Sequence, residues 1–173
     1  MEKLVIATRR SQLALWQSEY VKAKLLEHFP NMQIELQEFV TKGDKILDVP
    51  LAKIGGKGLF TKELEVAMLE GSAHLAVHSL KDVPTILPQN IEISAVLERD
   101  FPQDVLVRKS SSKNKNLAEL KIATSSLRRR AFWLEQFPET EFSDIRGNVQ
   151  TRLKKLEEGD FDATLFSLAG IKR

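Results

Sequence analysis

A lysine, an aspartate and a proline follow an apolar stretch in His78-Ser79-Leu80-Lys81-Asp82-Val83-Pro84. Residues that leave the carboxyl end of a strand build the sites of open α/β sheets, so Asp82 stands where a carboxylate could meet a cationic nitrogen. Spacing alone equally allows Lys81 and Asp82 to be a surface ion pair. A second set is cationic: from Lys121 to Lys155 the bases are Lys121, Arg128, Arg129, Arg130, Arg146, Arg152, Lys154 and Lys155, against only Glu135, Glu139, Glu141 and Asp144. Guanidinium forks grip carboxylates bidentately, so arginines converging from several strand ends would suit a ligand with several acid groups. Arg128, Arg129, Arg146 and Arg152 fall at strand-to-helix turns, whereas Arg130, Lys154 and Lys155 read as solvated helix faces. Three segments, Arg9 to Ser11, Thr124 to Arg130 and Arg146 to Asn148, place polar residues where a strand gives way to a helix, whose unpaired N–H groups and dipole favour anions.

Other chemistries are excluded by composition. The sequence has no cysteine, which removes disulfides, thiolate metal sites and a cysteine nucleophile from this stretch. His28, His74 and His78 are the only histidines. His74 and His78 are four apart but straddle a helix-to-strand junction, and no metal is expected. Gly55-Gly56-Lys57-Gly58 lacks the GxxxxGK[ST] spacing of a phosphate loop. A formal net charge of +2 is too small for a general nucleic-acid or membrane footprint, and Arg128 to Arg130 lack interleaved aromatic residues. The first apolar run ends at Arg9, too short for a signal peptide or a membrane span, so the expected location is the cytoplasm.

The elements that must carry these residues alternate. Leu4 to Thr8 reads as a strand and Ser11 as the cap of a helix that starts at Gln12, ends near Phe29-Pro30 and has Leu13, Trp16 and Tyr20 beside Ala14, Val21 and Leu25 on its apolar stripe. Gln33 to Phe39 reads as a strand, Thr41 to Gly58 as a mobile loop, and Thr61 to Glu70 as a helix stopped by Gly71. Strands at Leu75 to Ser79 and Ile91 to Leu97 follow, then a crossover from Arg99 to Asp104. After Val105-Leu106-Val107 the pattern predicts a solvated loop over Lys109 to Asn116, a strand at Lys121 to Thr124 and a helix from Ser126. A strand at Glu141 to Ile145, a helix at Asn148 to Glu158 with Val149, Leu153 and Leu156 inward, and a strand at Ala163 to Phe166 complete it. The expected class is therefore α/β, with an N-terminal domain over 1–99 and a second over 100–173. The last residues look like the start of a helix, so the sequence reads as an N-terminal portion with its second domain incomplete.

Together these segments resemble the porphobilinogen deaminase (hydroxymethylbilane synthase) family. The resemblance is carried by Ala7-Thr8-Arg9 with Ser11 and Leu13-Ala14-Leu15-Trp16-Gln17, by Gly55-Gly56-Lys57-Gly58-Leu59-Phe60, and by His78 to Pro84. It continues through Thr124-Ser125-Ser126-Leu127-Arg128-Arg129, Ile145-Arg146-Gly147-Asn148-Val149, Thr151-Arg152-Leu153 and Leu168-Ala169-Gly170. It implies two domains like those of type II periplasmic binding proteins plus a C-terminal domain, absent here, whose cysteine anchors a dipyrromethane cofactor. It also implies a transferase of porphyrin and heme biosynthesis that joins four porphobilinogen molecules head to tail and releases ammonia. By matching positions, Asp82 resembles the catalytic carboxylate, and Ser79, Lys81, Asp82, Thr124, Ser125, Ser126, Arg128 and Arg129 resemble the cofactor contacts. Arg9, Ser11, Phe60, Arg146 and Arg152 resemble the residues that receive substrate, and Lys53 and Lys57 fall in a stretch similar to the family's flexible lid. Ala7, Arg10 and Ala123 depart from the family's pattern, as does the stretch Arg99 to Asp104. The expected partner is porphobilinogen, taken by a monomer, with no nucleic acid and no membrane. The 173 residues alone are expected to be inactive, since they lack the anchoring thiol. A non-enzymatic anion-binding module of periplasmic-binding-protein type is the rival reading.

Overall fold

The structure, a computed structural model, describes residues 3–46 and 58–173. These divide into two compact units, 3–46 with 58–97 and 98–173. The readings made for Lys53, Gly55, Gly56 and Lys57 lie outside the described residues.

The first unit is built around β1 (Lys3–Arg9), whose Ile6, Ala7 and Thr8 are fully buried. β1 lies between β2 (Gln33–Phe39) and β3 (Leu75–Ala76), parallel to both. The crossover between β1 and β2 is α1 (Gln12–His28), started by Ser11, whose hydroxyl accepts the Ala14 N–H. The buried positions of α1 are the small Ala14 and Ser18. Trp16 and Tyr20, expected inward, are instead turned to solvent, with their rings stacked 5.4 Å apart. Small side chains let the helix approach the sheet closely, and bulky rings are left outside that contact. The core gathers Ala7 with Leu64, Ala67 and Ala73, which come from α3 (Lys62–Leu69) and the turn after it. Three further expectations fail here. The loop expected from Thr41 begins with a helical turn, α2 (Lys42–Lys45), and residues 91–97 form no strand. An alternating segment becomes a strand only when a neighbour takes its backbone groups, and Ile93, Val96 and Leu97 are exposed. β3 is also shorter than the run expected to Ser79, because a 3-10 turn at Leu80–Asp82 draws the chain off the sheet.

The second unit is a mixed four-stranded sheet in the order β4 (Asp104–Arg108), β7 (Ala163–Ser167), β5 (Ile122–Ala123), β6 (Phe142–Ser143). β4 runs antiparallel to β7, and the other pairings are parallel. Leu120, Ile122, Ala163 and Leu165 form the core, against which Leu106, Trp133 and Phe142 pack. The parallel crossovers are α4 (Leu127–Gln136) and α5 (Val149–Glu158), and α6 (Leu168–Ile171) follows β7 directly. Lys109 to Asn116 is not a solvated loop throughout. Ser112 is fully buried, its hydroxyl 3.0 Å from the Lys109 and Asp162 carbonyls, and it pins a 3-10 turn at Ser110–Ser112. Among the described residues no helix is long and apolar enough to cross a membrane. Both sheets are α/β constructions, as the alternation requires.

Candidate active site

In the first unit the carboxyl edge of the parallel sheet collects Arg9 from β1, Thr41 and Asp44 from the cap and turn of α2 that follow β2, and Ser79 to Asp82 after β3. Arg9 lies at the centre of this group. Its Nε donates to Asp44 Oδ2 at 3.2 Å and its Nη2 pairs with Asp44 Oδ1. Its Nη1 is 3.7 Å from Asp82 Oδ2, and its guanidinium lies 4.4 Å from the centre of the Phe60 ring. Phe60 in turn rests on Gly43, where a β-carbon would run into the ring. Asp82 is held by the 3-10 turn, its N–H donating to Ser79 O at 2.9 Å, ahead of Pro84. Burial depresses the nearby His78 imidazole; Asp82 opposes that effect and Arg9 adds to it, so the ring favours its neutral form. Ser79 exchanges hydrogen bonds with the Gln17 amide at 3.1 and 3.2 Å. Lys81 is exposed, and Ser11 spends its hydroxyl on the α1 cap.

In the second unit the carboxyl edge presents Thr124, Ser125 and Ser126 after β5, and all three side chains have structural partners. Thr124 Oγ1 accepts the Ser126 N–H at 3.2 Å, and Ser126 Oγ caps α4 through the Arg129 N–H. Ser125 Oγ donates to Ile145 O at 3.0 Å and accepts the Ile145 N–H at 3.1 Å, tying the turn after β5 to the turn after β6. Arg129 is committed as well: Nε and Nη2 grip Asp104 at 2.8 and 2.6 Å, and Nη1 donates to Leu165 O at 3.0 Å. Arg128 is exposed on the same first turn. Arg146 precedes Gly147, whose φ of 123° favours glycine and whose β-carbon would strike Thr151. That turn leads into α5, capped by Asn148, which accepts the Thr151 N–H at 2.9 Å.

Arg152 differs from the others. Its guanidinium lies 4.2 Å from the centre of the buried Phe166 ring, and its Nε is buried without a hydrogen-bond partner. Burial, then the charge of Arg129, pull this group down to about 10, so it is still a cation at neutral pH. A buried donor left unpaired is costly, and a carboxylate ligand would relieve it. Arg130, expected on a solvated face, instead donates from Nε to Thr124 O at 2.7 Å and from Nη2 to Asp144 Oδ1 at 2.5 Å. Lys154 and Lys155 are exposed as expected.

Four contributors had no role assigned from the sequence. Asp44 had a local signal, the Thr41-x-x-Asp44 spacing of a capping box. Gln17, Asp104 and Asp144 gain their partners only through chain-distant pairing, which leaves no signal in spacing. A cavity of about 250 Å³ lined by Lys109, Lys115, Lys121, Asp160 and Asp162 lies at the opposite, amino edge of the second sheet. Its lysines are already engaged by Gly159 O, Asp162 and Asp160.

Residues 4–173 match the family described as porphobilinogen deaminase, dipyromethane cofactor binding domain. The porphobilinogen deaminase of Aliarcobacter butzleri is 64% identical over all of this chain and 56% of its own length. That of a Sulfurovum species is 52% identical over all of this chain and 54% of its own, and that of Chromobacterium violaceum 50% over all and 56%. The chain thus spans about half the length of the curated relatives it matches. Among solved structures, the periplasmic aliphatic sulphonate binding protein of Escherichia coli aligns with 97% of this chain and 52% of its own at 13% identity and a TM-score of 0.44.

Proposed function

The chain belongs to the porphobilinogen deaminase family, and from that premise we propose that the full-length protein joins four porphobilinogen molecules head to tail into hydroxymethylbilane, releasing ammonia at each addition. The observation that carries this reading is Asp82, a carboxylate fixed by a 3-10 turn at the carboxyl edge of a parallel sheet, 3.7 Å from a guanidinium. When ammonia leaves the aminomethyl group of porphobilinogen, positive charge develops on the substrate, and a carboxylate already in place stabilises it without reorganising. Asp82 also serves as the proton relay between the departing amine and the ring. We assign Arg9, Ser11, Phe60, Arg146 and Arg152 to incoming substrate, whose acetate and propionate groups match the unpartnered Arg152 Nε.

The residues fit a dipyrromethane in part. The chain matches the family's cofactor-binding domain and has no cysteine of its own, so no residue here can be the covalent anchor. When bound, the cofactor supplies the pyrrole position that the first substrate molecule joins. We assign Ser79, Lys81, Asp82, Thr124, Ser125, Ser126, Arg128 and Arg129 to holding it. Lys81 and Arg128, exposed, reach its acid groups directly. Thr124, Ser125 and Ser126 contribute by fixing the turns after β5 and β6, each accepting a backbone N–H, and Arg129 by tying the first turn of α4 to Asp104 and Leu165 O. The same reading makes the protein a cytoplasmic monomer, and its net charge of +2 supports the absence of a general nucleic-acid or membrane footprint. The test is whether the full-length protein releases ammonia from porphobilinogen and carries the added mass of a dipyrromethane. Carboxylate binding without ammonia release would instead favour the anion-binding module.

A further inference from the structure

We propose that Asp44 is a positioning residue for Arg9: it occupies one edge of the guanidinium so that Nη1 stays turned toward Asp82 without closing on it. The inference rests on the reading that Arg9 meets substrate and Asp82 is the reacting carboxylate. Three contacts fix the guanidinium. Asp44 takes Nε and Nη2, Phe60 covers one face at 4.4 Å, and Gly43 gives Phe60 the room to lie there. Asp44 is itself anchored, its Oδ2 accepting the Thr41 N–H at 3.2 Å and the Thr41 hydroxyl at 2.7 Å. Burial alone would raise the Asp44 carboxyl, but the bonds from Arg9 and Thr41 outweigh it and hold the group below the ordinary carboxylate range.

The consequence is a division of charge. Arg9 has a single positive charge and two acidic neighbours, one in bidentate contact and one at 3.7 Å. Without Asp44, the face contact with Phe60 would still let the guanidinium slide in its own plane over that remaining distance and pair fully with Asp82. The carboxylate would then be tied to a fixed cation, and Nη1 would be lost to an acid group of the substrate. Asp44 keeps both groups available.

The test uses the full-length protein. Asp44→Asn preserves the shape and the oxygen that Thr41 needs but removes the charge that holds Arg9. Misplacing a binding group by about an ångström costs on the order of 100-fold, so the KM for porphobilinogen should rise about 10- to 100-fold, with kcat changing much less. Asp44→Glu, which keeps the charge, should recover most of the loss, and Asp44→Asn should add nothing in an Arg9→Leu background. Independently of turnover, the Nε–H signal of Arg9 in protein labelled with ¹⁵N-arginine should be protected from exchange in the parent and in Asp44→Glu, and lost in Asp44→Asn. An unchanged KM, an equal effect with and without Arg9, or an Arg9 signal indifferent to Asp44 overturns the proposal. A parent that releases no ammonia sinks the deaminase reading instead, and the Arg9 signal still decides whether Asp44 holds the guanidinium.

Discussion

Three consecutive arginines, Arg128, Arg129 and Arg130, should respond to replacement by leucine in three different ways. Arg129 donates three hydrogen bonds, two to Asp104 and one to Leu165 O. A hydrogen bond to a charged group is worth about 1.5 to 3 kcal/mol net. Asp104 is 43% exposed, so solvent discounts its pair, and the whole set is worth about 2 to 4 kcal/mol rather than the sum. Arg130→Leu removes the bonds to Thr124 O and Asp144, the latter 57% exposed, and should cost about 1 to 2 kcal/mol. Arg128→Leu, at an exposed position, should stay within about 0.5 kcal/mol. Urea unfolding of the full-length variants gives these differences, and mass spectrometry gives their dipyrromethane content. Arg128→Leu should lose cofactor, and compared with the cofactor-free parent it should be equally stable. In Arg129→Leu the two losses should come together. If Arg129→Leu unfolds at the parent's midpoint, its contacts are not the anchor inferred here. If Arg128→Leu keeps full cofactor content, the exposed guanidinium is not a ligand contact.

Asp82→Asn should reduce turnover by about 100- to 10,000-fold while leaving the urea midpoint near the parent's, and Asp82→Glu should retain more activity than Asn; near-parental turnover of Asp82→Asn would make the carboxylate structural. Asp44 stays ionised below the ordinary value of 3.8, so as pH falls the unfolded chain takes up the proton first. Its contribution is therefore present above that value and is lost as pH falls through the lower folded one, so stability should fall more steeply in the parent than in Asp44→Asn as pH is lowered below about 4. Gly147→Ala forces a side chain into a positive-φ turn against Thr151 and should cost about 1 to 3 kcal/mol in the same urea assay. Arg152→Leu should raise the KM for porphobilinogen while changing stability by no more than about 1 kcal/mol, because the lost contact with Phe166 is offset by removal of a buried donor that has no partner; a loss of several kcal/mol in the urea assay would show the guanidinium to be a structural group.

How much of this was legible in the sequence depended on whether the signal was local. Ser11, Ser126 and Asn148 were readable as helix starts because a cap acts within three residues. The alternation of strands and helices was readable because each has its own hydrophobic period. Trp16 and Tyr20 were misplaced because hydrophobicity says that a residue gains by burial, not that the helix can afford the space, and Ala14 and Ser18 won the contact by being small. Ile91 to Leu97 was misread because alternation marks a candidate strand while pairing makes one. Arg129 and Arg130 look alike in sequence. Only the fold shows that one clasps Asp104 at the start of β4 and the other the turn after β5.

The chain has two tryptophans, Trp16 and Trp133, and the fold places one in each unit. Trp16 lies stacked on Tyr20 at the surface, whereas the Trp133 indole packs against a core and donates to Thr140 Oγ1 at 3.0 Å. Iodide in solution should therefore quench Trp16 emission far more strongly than Trp133, and the two should emit at different wavelengths. With Trp16→Phe or Trp133→Phe as the background, a fluorescence trace reports one unit at a time, and the order in which the units lose structure becomes measurable without any added label.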